Sequence, residues 1–365
     1  MAHLLTLNTG SSSVKFRLFG FEDCLPLLAG GKISGLGGIP VFDVSKEGED
    51  PESYPLSDGL SHEEAIDLVL KWLEDNRLSV SAVTHRIVHG GEKYAAPVKL
   101  DQEAMDYLRG LEPLAPLHQP HNLAGVDILS NRQPDLPQYG CFDTAFHAKH
   151  GQLFREFALP RSIRDKGVKR YGFHGLSYDW IIHCLRADYP RLAEGKVIVA
   201  HLGNGASLCA IKNGISIDTT MGMTALDGLP MGTRCGALDP GAIIFMMRDL
   251  ALSLEETEKI LYEESGLKGL SALTNDVKTL EASDDANAVF ALDYFAMKTA
   301  QYIASMAVSC GGMDALVFTG GIGENSERIR QKILRYLDFM GDFKDLVIPA
   351  NEERAMAIEI WENFK

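Results

Sequence analysis

Alternation of apolar and polar positions dominates the opening of the chain. Thr6 to Phe19 (TLNTGSSSVKFRLF) sets two apolar-rich runs on either side of Gly10-Ser11-Ser12-Ser13. Val197 to Ile211 (VIVAHLGNGASLCAI) repeats the arrangement around Gly203-Asn204-Gly205. Apolar-rich runs broken by small turn residues predict a β-hairpin in each case. Other strands are predicted from the start to about Asp43, from Ser79 to Thr84, over QYGCF (138–142) and onward from Val197, with Asn213-Gly214 as a tight hairpin turn. The polar stretch 47–60, rich in Gly, Pro, Ser and Glu, reads as a loop. Ser61 and Glu64 form a capping-box pattern ahead of a helix that runs to about Asn76, and Ser253 with Glu256 repeats the signal. Helical periodicity marks 102–110, 121–132, 240–250, 253–265 and 286–310, and a further helix begins near Asn351. ALVFTGGIGEN (315–325) predicts a strand, a Gly-rich turn and a helix start, a geometry that presents backbone donors to a ligand. The segment after Phe146 is a candidate hinge. Strands mixed with helices in both halves predict an α/β architecture. Two similar turns roughly half a chain apart suggest a duplicated fold that grips one polyphosphate from both sides.

Bulk properties narrow the function. A chain of 365 residues with 45% apolar residues is long enough for two domains. Its net charge of -15, from 35 basic and 50 acidic residues, argues against a nucleic-acid or anionic-membrane partner. An anionic substrate then requires locally concentrated Arg and Lys. The cysteines (Cys24, Cys141, Cys184, Cys209, Cys235 and Cys310) form no CxxC pair and read as reduced thiols of a cytoplasmic protein. The start, MAHLLTLNTG, lacks the basic region and long apolar core of a signal peptide. No run reaches the ~18 apolar residues of a membrane span. The nearest, Ala242 to Leu254, is interrupted by Arg248 and Asp249.

The chemical candidates each have a plain structural reading beside the functional one. Either Gly-rich turn is an ordinary hairpin or a phosphate cradle, since turns without a Cβ let backbone N–H groups converge on an anion. The absence of GxxxxGK[ST] excludes an ordinary P-loop. Lys15 brings a cation next to the first turn, and Asn8 offers an oxygen to a hydrated metal. Arg86 in HRIVHGGE (85–92) and Arg234 in LPMGTRCGALDPG (229–241) stand in Gly-rich contexts, Arg86 at a strand end. Isolated Arg residues are common on surfaces, but a pair in such contexts suits anion clamps. His118, His147 and His174 lie in aromatic or Pro-bracketed loops, where a His packs in a core or donates to a phosphoryl oxygen as charge shifts. HExxH and His/Cys zinc spacings are missing. Asp143 caps a turn or, at the end of an α/β strand, joins an active site. Glu352 is either an ordinary first-turn acid or one of the one or two carboxylates that Mg2+ takes.

In order along the chain, NTGSSSVKF, HRIVHGGE, LAPLHQPHN, FDTAFH, YGFHGLS, HLGNGAS, MGTRCGALDPG, FTGGIGENS and IPANEE resemble the acetate kinase family, within the acetate and sugar kinase, Hsp70 and actin superfamily. The resemblance spans nearly the whole chain. It implies two duplicated α/β domains of the ribonuclease H-like kind with the active site in the cleft between them. The N-terminal domain would be 1–147 plus 353–365, and the nucleotide-binding domain 148–352. It also implies ATP and acetate as substrates, reversible direct in-line transfer to give acetyl phosphate and ADP, Mg2+ (or Mn2+), a homodimer and a place in acetyl-CoA biosynthesis. Asn8 and Glu352 would hold the metal and its waters. Lys15 and the turn His201, Leu202, Gly203, Asn204 and Gly205 would contact the ATP phosphates. Asp276, Val277 and Lys278, with Gly321, Ile322, Gly323, Glu324 and Asn325, would border the nucleoside. Arg86 would bind the substrate carboxylate, with Asp143 as the acid/base or orienting residue. His174 and Arg234 would stabilise the transition state. Val88, Leu117 and Phe173 would line the alkyl pocket. This chain departs from the family's usual residues at Gln119 (usually Asn), Lys278 (commonly Arg) and Ala225 (usually Pro). Ala225 belongs to the alkyl pocket by resemblance, and losing the ring there makes a propionate or other short-chain acid kinase the alternative. A nucleotide-driven Hsp70- or actin-like clamp is the reading from another class.

Overall fold

The computed structural model describes residues 2–364. The chain divides into two compact units. The first runs to Ala145 and resumes at Asn351; the second is Phe146–Ala350.

The first unit is built on an eight-stranded sheet. Its strands are β1 (His3–Gly10), β2 (Ser13–Gly20), β3 (Leu27–Ser34), β4 (Val41–Lys46), β5 (Glu52–Pro55), β6 (Ala82–Ile87), β7 (Val98–Lys99) and β8 (Gln138–Phe142). They lie in the order β5-β4-β3-β2-β1-β6-β8-β7. The first hairpin closes with Gly10 opposite Ser13, so Ser11 and Ser12 form the turn. One sheet face carries Leu5, Leu7, Val14, Phe16, Leu18 and Ile33 into the core. The helix His62–Asp75 covers them with Ala65, Ile66, Val69 and Leu73, where steps of three and four from Ile66 to Val69 to Leu73 make one apolar stripe. Its Ser61–Glu64 capping box satisfies orphan N–H groups at the start. The helix Gln119–Arg132 packs on β1 and β6. The helix Glu352–Phe364 contacts β1, β2, β6 and β8, and Arg354 fixes it by donating to the carbonyls of Cys24 and Leu25.

The second unit has a five-stranded sheet: β9 (Lys196–Leu202), β10 (Ala206–Lys212), β11 (Ile215–Thr219), β12 (Ala315–Thr319) and β13 (Lys344–Val347), in the order β11-β10-β9-β12-β13. Leu202 faces Ala206, so Gly203-Asn204-Gly205 is a three-residue turn. Asn213 and Gly214 turn β10 into β11 with φ of 55° and 71°, the doubly left-handed conformation that Asn-Gly adopts at little cost. The helix Gly175–Asp188 buries Tyr178, Ile181, Ile182 and Leu185 against Val197, Val199, Cys209 and Val317.

Both sheets contain one five-strand order. β3-β2-β1 and β11-β10-β9 are antiparallel meanders, and each continues into two parallel strands, β6-β8 and β12-β13. The fold is a duplicated α/β fold.

The structure adds elements that the sequence pattern does not mark, such as the helix Glu327–Tyr336 and strand β13, and three departures have a plain physical reason. The stretch 47–60 is not all loop, because Glu52–Pro55 adds an edge strand to β4. All four residues are exposed, so no burial alternation marked it. The helix Gly175–Asp188 has no side-chain cap and starts from His174 at φ 58°, which hides its beginning. The pattern at 253–265 breaks into a helix Leu254–Lys259 and a π-helical turn Ile260–Glu264, where the Ser265 hydroxyl donates to the Ile260 carbonyl.

Candidate active site

In the first unit the candidate residues gather at strand ends and one helix start. Arg86 lies in β6, Asp143 directly follows β8, and Glu352 opens the helix Glu352–Phe364. The Asp143 N–H donates to the Ile87 carbonyl at 3.1 Å, which extends the β6–β8 ladder and fixes where the carboxylate starts. Arg86 Nε and Nη2 donate to Asp143 Oδ1 and Oδ2 at 3.0 and 2.8 Å. Arg86 Nη1 is 2.8 Å from Glu352 Oε2. Burial opposes the Arg86 charge, and Asp143 and Glu352 more than offset it, so the guanidinium keeps its proton more tightly than an ordinary Arg. Burial raises the pKa of Glu352, with Arg86 pulling it down and Asp143 pushing it up.

A guanidinium has five N–H donors. Asp143 and Glu352 take one fork and one further bond, which leaves donors for another carboxylate. Both Asp143 oxygens are taken up by Arg86, an arrangement suited to orienting that side chain.

Lys15 is 2.9 Å from Glu353 Oε1, and that Glu353 is fully buried. Asn8 pairs with Lys15 across β1 and β2 and is half-buried. Among the described residues, no group of three or more His, Cys, Asp and Glu converges as a metal site. The donor set still suits a hard, hydrated cation. Asp143 and Glu352 share one guanidinium, so a negative charge is left over, and Glu352 is bound to Arg86 through Oε2. Mg2+ takes one or two carboxylates and otherwise keeps its waters.

The strand after Arg86 is pinned from the helix Gln119–Arg132. Asn122 accepts from the Val88 N–H and donates to the Thr9 carbonyl at 2.7 Å. Gln119 accepts from the His89 N–H and donates to the His89 and Leu108 carbonyls. Gln119 is fully buried, and its amide does backbone work that a shorter side chain reaches less far to perform. Val88 is buried, and Leu117 is half-buried in the turn before that helix.

In the second unit His174, Gly205 and Arg234 come together. A Cβ placed on Gly205 would lie 3.3 Å from His174 Nε2 and 3.7 Å from Arg234 Nη1. His174 stands in the left-handed region at φ 58°, a conformation costing a non-Gly residue about 1–2 kcal/mol. Its ring stacks on His201 with centroids 4.3 Å apart, and its Nδ1 meets Ser207 Oγ at 2.8 Å. His201 Nδ1 meets Ser177 Oγ at 2.8 Å. Arg234 is buried, and its Nη1 donates to the Ala225 carbonyl at 3.0 Å. Burial pulls the Arg234 pKa down, and Tyr262 acts the other way. Phe173 is closed into the core, where its carbonyl meets His147 Nε2 at 2.9 Å, so its ring is not on an open surface. Ala225 is half-buried in the loop that holds Arg234.

Gly203, Asn204, Asp276, Val277, Lys278, Gly321, Ile322 and Asn325 border one open cavity of about 680 Å³. That size suits a nucleoside. Leu202 is fully buried and has only its backbone to offer. Glu324 accepts from the Gly320 and Ala350 N–H groups, and Gly323 is buried. Asp276 caps the helix Val277–Glu281 by accepting from the Thr279 N–H. Asn275, Glu281 and Ser326 also border the cavity. The sequence reading missed them. Asn275 was findable as the neighbour of Asp276; it donates to Asn204 Oδ1 at 2.9 Å and ties the turn to the cavity wall. Gln119 and Asn122 lie in LAPLHQPHN and Ser207 in HLGNGAS, but nothing in those motifs, nor around Tyr178, states the hydrogen bonds that these side chains make.

A duplicated α/β fold, with Arg86 in a carboxylate cluster of the first unit and Arg234, His174 and a Gly-bordered cavity in the second, has the features that a phosphotransferase requires. Residues 3–357 match the acetokinase family. The chain is 44% identical over 353 residues to the acetate kinase of Methylocella silvestris, covering 93% of this chain and 87% of that protein. It is 41% identical over 392 residues to acetate kinase 2 of Neisseria meningitidis, covering 98% of each. Two solved structures are similar over nearly their full lengths. The propionate kinase of Francisella tularensis has a TM-score of 0.92 at 32% identity, covering 98% of this chain and 99% of that one. The acetate kinase of Porphyromonas gingivalis has a TM-score of 0.87 at 32% identity, covering 100% of both. This chain belongs to the acetokinase family. The non-enzymatic clamp reading is set aside by that membership. No helix among the described residues is long and apolar enough to cross a membrane.

Proposed function

We propose that this protein is an acetate kinase that moves the γ-phosphoryl group of ATP onto acetate, reversibly and in line, giving acetyl phosphate and ADP. The observation that carries the reading is Arg86, buried between Asp143 and Glu352 with donors to spare. Acetate is already an anion and a competent nucleophile, so a strong general base is unnecessary. The obstacle is repulsion between two anions. Arg86 would take the acetate carboxylate, and Asp143 would hold the guanidinium in position. Arg234, whose charge burial disfavours, would be relieved by an arriving phosphoryl oxygen. His174 Nε2, next to the same point, would donate to an equatorial oxygen as charge shifts. The 680 Å³ cavity would take the nucleoside. Glu352 and Asn8 would hold Mg2+ or Mn2+, which neutralises phosphate charge when bound. Lys15, paired with Glu353, would add a cation for the phosphates. Transfer requires both residue sets on one substrate pair, and such alignment can be worth ~7–11 kcal/mol. A cytoplasmic homodimer is part of this proposal; Ile244, Phe245, Leu250 and Leu254 leave apolar surface exposed that a second copy would cover.

Ala225 supports propionate as the second reading, because one methylene changes discrimination by only ~1–3 kcal/mol. Trapping acyl phosphate with hydroxylamine across acetate, propionate and butyrate decides. We expect the highest kcat/KM with acetate. A higher value with propionate overturns acetate as the preferred acid, and ADP formation without hydroxamate from any of the three overturns the kinase.

A further inference from the structure

His147, one of the histidines singled out in the sequence, takes no part in the proposed transfer. It is buried, with Nε2 2.9 Å from the Phe173 carbonyl and Nδ1 2.8 Å from Ser216 Oγ. A carbonyl oxygen only accepts, so Nε2 carries a proton and donates it to Phe173. The same ring lies along the backbone one residue earlier. A Cβ placed on Gly172 would stand 2.7 Å from His147 Cδ2 and 2.8 Å from its Cγ. Gly172 has φ 83° and His174 has φ 58°, so left-handed residues flank Phe173 on both sides. We propose that His147 is a positioning residue for His174: its imidazole holds the bend Gly172–Phe173–His174 and, through the Phe173 carbonyl, fixes the direction in which His174 meets Gly205. The proposal rests on the role given to His174 above.

Backbone geometry supplies the route. The Phe173 carbonyl lies in one plane with the His174 N–H, because the peptide bond between them is planar. The φ angle of His174 measures how its Cα substituents turn relative to that plane. Holding the carbonyl therefore holds one side of the angle that is strained. A left-handed non-Gly residue persists only where its surroundings over-determine it. The helix Gly175–Asp188 starts at His174 without a side-chain cap, so capping does not hold the residue there. Ser207 meets the His174 ring at Nδ1, and His147 fixes the backbone from which that ring projects. The far edge of the His147 ring is held in turn. Ser216 Oγ, which meets its Nδ1, is also 2.6 Å from His150 Nε2 and 3.2 Å from Cys209 Sγ. No glycine could be replaced at 172 without displacing this ring, which ties the bend and the imidazole to one another.

His147→Gln and His147→Phe separate the hydrogen bond from the packing. Gln carries an amide N–H that can reach the Phe173 carbonyl, whereas Phe keeps a flat ring and has no donor. We expect His147→Phe to lower kcat about tenfold with both KM values within about twofold, the mark of an interaction that matters in the transition state. That loss is smaller than the 10²–10³ for removing a transition-state donor, because His174 remains but is less well aimed. His147→Gln should recover kcat to within about threefold of wild type. In a His174→Ala background, His147→Phe should lower kcat no further. A purely structural role predicts a lower Tm with kcat unchanged well below it. An unchanged kcat in His147→Phe, a Gln variant no better than the Phe variant, or a loss that adds in full to that of His174→Ala overturns the proposal. If His147→Phe does not fold, His147→Asn is read by the same measurements, since its shorter amide keeps to the Ser216 side and gives up the carbonyl. Wild-type kcat in His174→Ala overturns the role of His174 and this proposal together. A deep loss there beside wild-type kcat in His147→Phe overturns this proposal alone.

Discussion

Arg86→Ala tests whether the guanidinium is a structural counter-charge as well as a substrate clamp. In the wild type one cation serves two carboxylates, Asp143 through a two-bond fork and Glu352 through Nη1. The Arg86 and Asp143 side chains are only 17% and 2% exposed, so solvent screens the pair weakly. Removing one partner of a buried pair costs about 3–5 kcal/mol, because the remaining charges stay in place without compensation. At roughly 2–4 °C per kcal/mol for a unit of this size, Tm should fall by about 6–20 °C near neutral pH. The pH dependence carries a definite sign. Glu352 has a raised pKa in the folded protein, chiefly from burial, and Arg86 opposes that rise. A carboxyl with a raised folded pKa favours folding below its unfolded pKa, and that contribution is lost as pH rises through the folded value. Without Arg86 the folded pKa climbs further, so the penalty at neutral pH grows. The Tm gap between wild type and Arg86→Ala should therefore narrow on acidification toward pH 5. Scanning calorimetry at several pH values on both proteins measures it, and effects common to both cancel in the difference. The acyl hydroxamate assay should show kcat/KM reduced by at least two orders of magnitude. A Tm within 1–2 °C of wild type, given that ~1 kcal/mol already moves Tm by more, or a gap that widens at low pH, refutes the counter-charge reasoning.

Gly205→Ala should separate catalysis from folding. Its Cβ would stand 3.3 Å from His174 Nε2, tight enough to shift the ring by a few tenths of an ångström, while occupying the point that faces Arg234. Hydroxamate formation should drop by about 10²-fold with Tm nearly unchanged; activity within fivefold of wild type would remove Gly205 from the proposed phosphoryl position. Burial lowers the pKa of His85 and of His89 to about 4. The unfolded chain takes up protons at these rings below about 6.5, while the folded protein refuses them, so stability should fall as pH drops from about 6.5 to 4. Urea midpoints at pH 7 and pH 5 test this, and a midpoint equal or higher at pH 5 contradicts it.

Local chemistry made part of the fold readable in the sequence. The hairpin turns at Gly10–Ser13 and at Gly203–Gly205 combine apolar-rich runs with small turn residues, and both are hairpins in the structure. The capping boxes at Ser61 and Ser253 were visible for the same reason. The edge strand Glu52–Pro55 was not, because nothing in four exposed residues distinguishes a strand from a loop. Nor was the helix after His174, whose start depends on a left-handed backbone held by tertiary contacts. Arg86 and Asp143 are 57 residues apart, and no periodicity links such positions. Resemblance named those candidates. Their fork, the backbone grip of Gln119 and the bond from His147 to the Phe173 carbonyl depend on side-chain positions that only a folded chain defines.

The first unit is interrupted in sequence by the whole of the second, since it stops at Ala145 and resumes at Asn351. The residues that seal one face of its sheet, including Glu352, the second partner of Arg86, and Glu353, the partner of Lys15, are therefore synthesised after all of Phe146–Ala350. During synthesis the second unit can complete itself while the first waits with an uncovered sheet face and with Arg86 paired to Asp143 but not yet to Glu352. Vectorial production of this chain thus reverses the usual order in which the leading domain matures first. The polar cluster at Arg86 is completed only when Glu352 emerges, which ties its final form to a late stage of folding.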